Sequence, residues 1–157
     1  MNLRPGDLVF VRGTTWFEKA IEDITSSQYS HVAGIVKENE LIEAQGFRKT
    51  GYQGLDCYYG QSDIFTCAGL SDEQRQAIIE CVLSEVGTRY DYILILWEAV
   101  RYLLHKVFPY KETKRRICST LWADAYKAAG IDLCPGIRYP SPEDLAQSKL
   151  LKKIGSY

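Results

Sequence analysis

One cysteine stands in surroundings that favour a reactive thiolate. Cys118 closely follows the basic run Lys114-Arg115-Arg116, and apolar spacing over residues 121–129 predicts a helix that begins beside it. Unpaired backbone N–H groups at a helix start, and nearby cations, favour the thiolate, which is the nucleophilic form of cysteine. The same position also suits a small buried residue. Cys118 by itself therefore indicates a nucleophile without excluding a packing role.

His31 is the candidate base, and Glu43 is the candidate for the group that orients it. The chain has two histidines, and His105 lies in an apolar helical stretch that indicates a packing or surface role. A plain hairpin places Glu43 opposite residues 34 to 36, about 10 Å from His31 along the strand at about 3.3 Å per residue. A bulge or strong twist near Gly34 is needed to bring the two side chains together. From the pattern alone, Glu43 stays a candidate.

Strands dominate the first part of the chain and helices the second. Period-two patterns and turn residues predict strands at 7–11, 31–36, 41–44, 51–59 and 64–67. Helical spacing predicts helices at 16–24, at 72–86 with Ser71 as its cap, at 93–108 and at 118–129. The tail, rich in proline, is expected to be extended or turn. This order favours an α+β fold over regular βαβ alternation.

Five segments, in this order, resemble the circularly permuted NlpC-type branch of the papain-like cysteine peptidases, which includes relatives of lecithin:retinol acyltransferase. They are Pro5-Gly6-Asp7-Leu8-Val9-Phe10, Tyr29-Ser30-His31-Val32-Ala33-Gly34-Ile35-Val36, Leu41-Ile42-Glu43-Ala44, Gly87-Thr88-Arg89-Tyr90-Asp91-Tyr92 and Ile117-Cys118-Ser119-Thr120-Leu121. The histidine block precedes the cysteine helix, which is the permuted order.

The resemblance implies a fold and a set of roles. The fold is an antiparallel sheet packed against helices that include the nucleophile helix. Cys118 is implied as nucleophile, His31 as general base and Glu43 as orienting residue, with acyl transfer and no metal or organic cofactor. Asp7 and Tyr90 match recurrent positions, for which turn and packing roles are expected.

Composition limits the remaining classes. At 157 residues, one domain over 1–157 is expected, and a net charge of -1 gives no general attraction to nucleic acid. The N-terminal sequence shows no signal peptide and no segment reaches the about 18 apolar residues of a membrane span, so a cytoplasmic location is expected. Five scattered cysteines without a CxxC pair indicate a reducing compartment rather than a disulfide framework. The oligomeric state is not predicted.

Three functional classes stay open. The first is an amidase or peptidase acting on a small or cell-wall-type peptide of a bacterium or phage. The second is a lipid-directed thioesterase or acyltransferase, in which the apolar helix at 93–108 makes weak membrane-surface contact. The third is a non-catalytic relative that binds peptide or lipid.

Overall fold

The computed structural model describes residues 2–13, 28–44, 49–88 and 117–157. The predicted helices at 16–24 and 93–108 lie outside these ranges, as do Tyr90, His105 and the basic run 114–116. The lipid-directed alternative therefore depends on a segment outside the described residues.

A six-stranded antiparallel sheet forms the centre of the described structure. Its strands are β1 (Leu8–Val11), β2 (His31–Lys37), β3 (Glu40–Glu43), β4 (Gly51–Gly54), β5 (Ser62–Cys67) and β6 (Leu151–Ser156), in the order β4-β3-β2-β1-β5-β6. The helices are a 3-10 helix (Leu55–Tyr58), α1 (Asp72–Ser84), α2 (Cys118–Ala128) and α3 (Pro142–Ala146). The α+β prediction is confirmed. No helix in the described ranges is long and apolar enough to cross a membrane.

Both faces of the sheet are covered, which explains why its central strands are almost continuously apolar. One face packs against α1 and α2, and its residues include Leu8, Phe10, Val32, Ile42, Phe65, Ile78, Leu121 and Trp122. The other face packs against the 3-10 helix, and its residues include Val9, Val11, Ala33, Ile35, Leu41, Leu55, Tyr58 and Ile64. Alternation along each strand sends successive side chains to opposite faces. The sheet thus joins two apolar clusters.

Helix α2 is held against β2 and β3 by a close approach at a glycine. A Cβ on Gly34 would lie 2.4 Å from the Trp122 ring, so only glycine allows this distance between helix and strand. The Trp122 indole N–H donates to the Ile42 carbonyl at 3.2 Å. These contacts fix where α2 lies relative to the first residues of β2.

The local helix signals are confirmed, whereas the tail departs from the prediction. Ser71 caps α1 in a capping box with Gln74. The expected strand over 51–59 ends at Gly54, where the chain turns into the 3-10 helix. The tail contains α3, which Ser141 caps and Pro142 begins, and then β6. The extended-tail expectation is wrong for α3 because Ser-Pro followed by acids is itself a helix-start signal.

Candidate active site

Cys118 is the first residue of α2 and is 6% exposed. The N-cap residue, Ile117, makes no side-chain capping hydrogen bond, although the Thr120 hydroxyl accepts from the Ile117 N–H at 3.3 Å. Because the first N–H groups of a helix have no intrahelical partner, an uncapped helix start provides donors and a partial positive charge. The sulfur therefore lies where a thiolate and a developing oxyanion are both stabilised.

A register shift brings His31 and Glu43 together. Gly34 pairs with Ile42 in the hairpin, and an irregularity between Ile35 and Lys37 moves the register by one residue. Glu43, the residue after Ile42, therefore lies across from the residue before Gly34 and not opposite residues 34 to 36. That position on β2 is two residues from His31. Side chains in such diagonal positions are within reach of each other. The Nε2 of His31 lies 2.9 Å from Oε2 of Glu43.

The electrostatics of Cys118 and His31 are reciprocal. Burial raises the pKa of the Cys118 thiol, but the charge of His31, its hydrogen bond and the backbone N–H groups of Val32 and Ser119 outweigh burial and lower the pKa. Burial likewise lowers the pKa of His31, while the charge and hydrogen bond of Cys118, and then Glu43, raise it. Both shifts favour a thiolate–imidazolium pair. The structure thus brings together all three residues that the sequence analysis singled out.

Tyr58 is a member of this cluster that the sequence analysis did not select. It is the last residue of the 3-10 helix, is 8% exposed, and donates a hydrogen bond to Oε2 of Glu43 at 2.5 Å. Its ring centroid lies 6.0 Å from that of His31. The predicted strand over 51–59 hid it, because in a strand Tyr58 would have been one more alternating residue.

Asp7 lies in a separate buried network that joins β1, β5 and α1. It is 1% exposed and accepts from the Arg4 N–H at 2.8 Å, the Thr66 hydroxyl at 2.7 Å and Arg75 at 3.1 Å. The same arginine donates to the Pro5 carbonyl at 2.7 Å. These contacts tie a turn to the strands beside it, in keeping with the expected turn and packing role.

The other thiols lie in different surroundings. All five cysteines are free, and of the four besides Cys118, Cys57 is exposed, Cys81 intermediate, and Cys67 and Cys134 buried. Burial, and then the charge of Glu43, raise the pKa of Cys57; burial, and then Asp144, raise that of Cys134 to about 11. The lowered pKa of Cys118 distinguishes it from Cys57, Cys67 and Cys134, whose pKa values burial raises.

A profile of the permuted papain-like amidase enzymes of the YaeF/YiiX type, the C92 family, matches residues 2–135. The chain belongs to this family. The match includes the histidine strand, the hairpin and the cysteine helix, and it confirms the papain-like resemblance. No match is found among curated proteins.

The family fold is also seen in a solved structure. The crystal structure titled metalloprotein YiiX from Escherichia coli O157:H7 matches with a TM-score of 0.75 and 19% identity, over 100% of this chain and 99% of that chain. At this identity the likeness establishes the fold alone. Within the ranges described for the present chain, no group of three or more His, Cys, Asp or Glu residues could hold a metal ion.

Proposed function

We propose that this C92-family chain is a cysteine amidase that cleaves an amide bond in a small or cell-wall-type peptide, with Cys118, His31 and Glu43 as its catalytic residues. One observation carries the proposal: the thiol at an uncapped helix start interacts with His31, and Nε2 of that imidazole lies 2.9 Å from an oxygen of a buried carboxylate. Nucleophile, base and orienting group in contact are what acyl transfer requires.

The proposed reaction begins with the thiolate–imidazolium pair. Since Nε2 of His31 contacts Glu43, Nδ1 is the nitrogen that exchanges a proton with Cys118. The thiolate attacks the amide carbon, and the oxyanion is stabilised by the Cys118 N–H at the start of α2. The C–N bond breaks as the imidazolium protonates the leaving amine, which leaves a thioester. Water, deprotonated by Nδ1, then releases the acid and restores the thiolate.

The first test measures cysteine alkylation against pH, with each thiol quantified by peptide mass spectrometry. Cys118 is expected to react fastest near neutral pH, although Cys57 is the more exposed thiol. In His31→Ala the advantage of Cys118 should disappear, because the imidazolium no longer stabilises its thiolate. A Cys118 that reacts no faster than Cys57 would contradict the proposed nucleophile and favour the non-catalytic alternative.

The second test is hydrolysis itself. Purified wild type is incubated with a panel of cell-wall peptides and simple peptide amides, and new amines and carboxylates are identified by mass spectrometry. Cys118→Ala and His31→Ala are each expected to abolish cleavage while thermal unfolding shows a retained fold. A fully active Cys118→Ala protein would rule out this mechanism. We also propose that the protein works in a reducing compartment, because its five scattered cysteines include no CxxC pair.

A further inference from the structure

Tyr58 and His31 meet on one oxygen of Glu43. Oε2 of Glu43 accepts from the Tyr58 hydroxyl at 2.5 Å and lies 2.9 Å from Nε2 of His31. A carboxylate oxygen offers two lone-pair positions, so two donors fill it. Because the phenol proton is directed at this oxygen, the imidazole fills the second lone-pair position by donating its Nε2–H. Nδ1 is then the nitrogen available to Cys118.

We propose that Tyr58 is a positioning residue of the catalytic site, whose hydroxyl keeps the buried Glu43 ionised and fixes the carboxylate that selects the His31 tautomer. The inference rests on the proposed function, because it assigns Tyr58 a part in that same triad. It adds a fourth member that acts through Glu43 and does not touch the substrate.

Burial explains why Glu43 needs such a donor. Glu43 is 4% exposed. Removing an ionised carboxylate from water costs free energy unless hydrogen bonds replace the lost hydration. Hydrogen bonds to the charged form of an acid stabilise that form. Burial, and then the charge of Glu43, raise the pKa of Tyr58, so the phenol stays protonated and remains a donor.

The backbone around Tyr58 holds the hydroxyl in place. Its carbonyl accepts from the Ser62 hydroxyl at 3.1 Å and from the Gln61 N–H at 3.2 Å. At the other end of the 3-10 helix, Leu55 is fully buried and its N–H donates to the Asn39 carbonyl at 3.0 Å. A residue anchored on both sides presents its side chain at a fixed position, as a positioning role requires.

The variant Tyr58→Phe removes the hydroxyl and keeps the ring. A carboxylate that has lost a donor takes up a proton at higher pH, and a protonated Glu43 no longer supports the imidazolium. The acid midpoint of Cys118 alkylation, and the acid limb of kcat, should therefore move to higher pH. We expect kcat to fall about 10- to 100-fold, the loss of one hydrogen bond to a charged group, with KM little changed.

Two control variants separate positioning from stability. Tyr59→Phe alters the next tyrosine, which is 77% exposed, and should leave the pH profile unchanged. Tyr29→Phe removes another buried tyrosine–carboxylate hydrogen bond, the 2.8 Å contact with Asp63, and should lower thermal stability without moving the alkylation midpoint.

A double variant decides whether Tyr58 acts through Glu43. In a Glu43→Gln background, Tyr58→Phe should change neither kcat nor the alkylation midpoint further, because both effects depend on the carboxylate. The inference would be overturned if Tyr58→Phe lowered kcat equally in the wild-type and Glu43→Gln backgrounds. It would also be overturned if Tyr58→Phe alone left the alkylation midpoint unchanged. If Tyr58→Phe does not fold, 3-fluorotyrosine at position 58 supplies a more acidic phenol, and the midpoint should move to lower pH; an unmoved midpoint again overturns it.

The alkylation readout also separates failure of this inference from failure of the proposed function. It needs no substrate, and wild type must first show the dependence of Cys118 reactivity on His31. If Cys118 reactivity does not depend on His31, the proposed function is refuted. If it does depend on His31 but the alkylation midpoint of Tyr58→Phe equals that of wild type, only the role of Tyr58 is refuted.

Discussion

Glu43 and Asp63 are both buried carboxylates on the central sheet, and both accept a hydrogen bond from a tyrosine. They are 4% and 2% exposed, and their tyrosines are Tyr58 and Tyr29. Their ionic contacts differ. Glu43 contacts the imidazole of His31, whereas Asp63 lies 2.9 Å from both the Arg12 guanidinium and the Lys153 ammonium.

The partner of each carboxylate distinguishes Glu43, the proposed orienting group, from Asp63, whose contacts are structural. Burial raises the pKa of Asp63, but hydrogen bonds from Lys153, Ser156 and Tyr29 and the charge of Arg12 outweigh it and lower the pKa to about 2. Its ionic contacts are to a guanidinium and an ammonium, which are groups that take no part in proton exchange in the proposed reaction. The imidazole of His31, in contrast, gives up and takes back a proton within the proposed reaction, so its contact with Glu43 can follow that reaction.

Between the two carboxylates, the larger effect on turnover is expected from Glu43→Gln. The amide keeps the shape of the side chain but removes the charge that supports the imidazolium, and in a Ser-His-Asp triad the equivalent change lowers kcat by about 10⁴. We expect kcat to fall between about 10²- and 10⁴-fold, with activity reduced but not eliminated. Steady-state kinetics checks the change in rate.

Glu40→Gln is the matched control for this variant. Glu40 begins the same strand and pairs with Lys37 at 3.1 Å on a more exposed part of the hairpin. It should retain activity within about twofold, since exposed ion pairs contribute little. A Glu43→Gln protein as active as this control would mean that Glu43 does not orient His31.

Asp63→Asn, in contrast to Glu43→Gln, should lower stability and leave turnover nearly unchanged. The change leaves Arg12 and Lys153 close together without their shared carboxylate, so we expect the free energy of unfolding to fall by about 2 kcal/mol. Turnover by the folded protein should stay within about threefold of wild type, because the charge near His31 is unaffected. Urea unfolding and kinetics on the same sample measure both quantities.

The exposed Asp56 provides the control for Asp63→Asn. It accepts the Tyr157 hydroxyl at 2.6 Å outside the core, and Asp56→Asn should alter stability by no more than about 0.5 kcal/mol. A loss of turnover in Asp63→Asn comparable to that in Glu43→Gln would remove the distinction between the two carboxylates.

The sequence predicts the features of this site that depend on local pattern. Ser71 and the acids after it mark the start of α1, and the apolar spacing after Cys118 marks α2, because capping and amphipathicity are properties of neighbouring residues. The five matching segments then indicate the family, and the histidine block before the cysteine helix indicates its permuted branch. All these signals lie within one element or in the order of elements.

Features that depend on pairing between distant elements were not predictable in the same way. The register shift after Ile35 depends on how the hairpin accommodates one extra residue, and it moved Glu43 closer to His31 than a plain hairpin would. The network at Asp63 joins residues up to 93 positions apart, such as Ser156 on a strand that the sequence analysis did not predict. Tyr58 was missed for a related reason, since it lies at the end of the 3-10 helix and its partner Glu43 lies on β3.

The smallest effect concerns the pH dependence of stability at Asp63. The pKa of Asp63 is about 2 in the folded chain against an ordinary value of 3.8. Its contribution to the free energy of unfolding is therefore complete above the unfolded-state pKa and is lost as pH falls through the folded-state pKa. The shift corresponds to about 2 kcal/mol, which should disappear mainly between about pH 5 and pH 2. The difference in unfolding free energy between wild type and Asp63→Asn, followed by urea titration at successive pH values, should narrow over that window. The pH dependence of the His31 contribution runs in the opposite direction. Because its pKa is raised in the folded chain, His31 stabilises the fold below its unfolded-state pKa, and that contribution is lost as pH rises through its folded-state pKa. If the difference in unfolding free energy between wild type and Asp63→Asn stays constant down to pH 2, Asp63 stabilises the fold by packing and not by its charge.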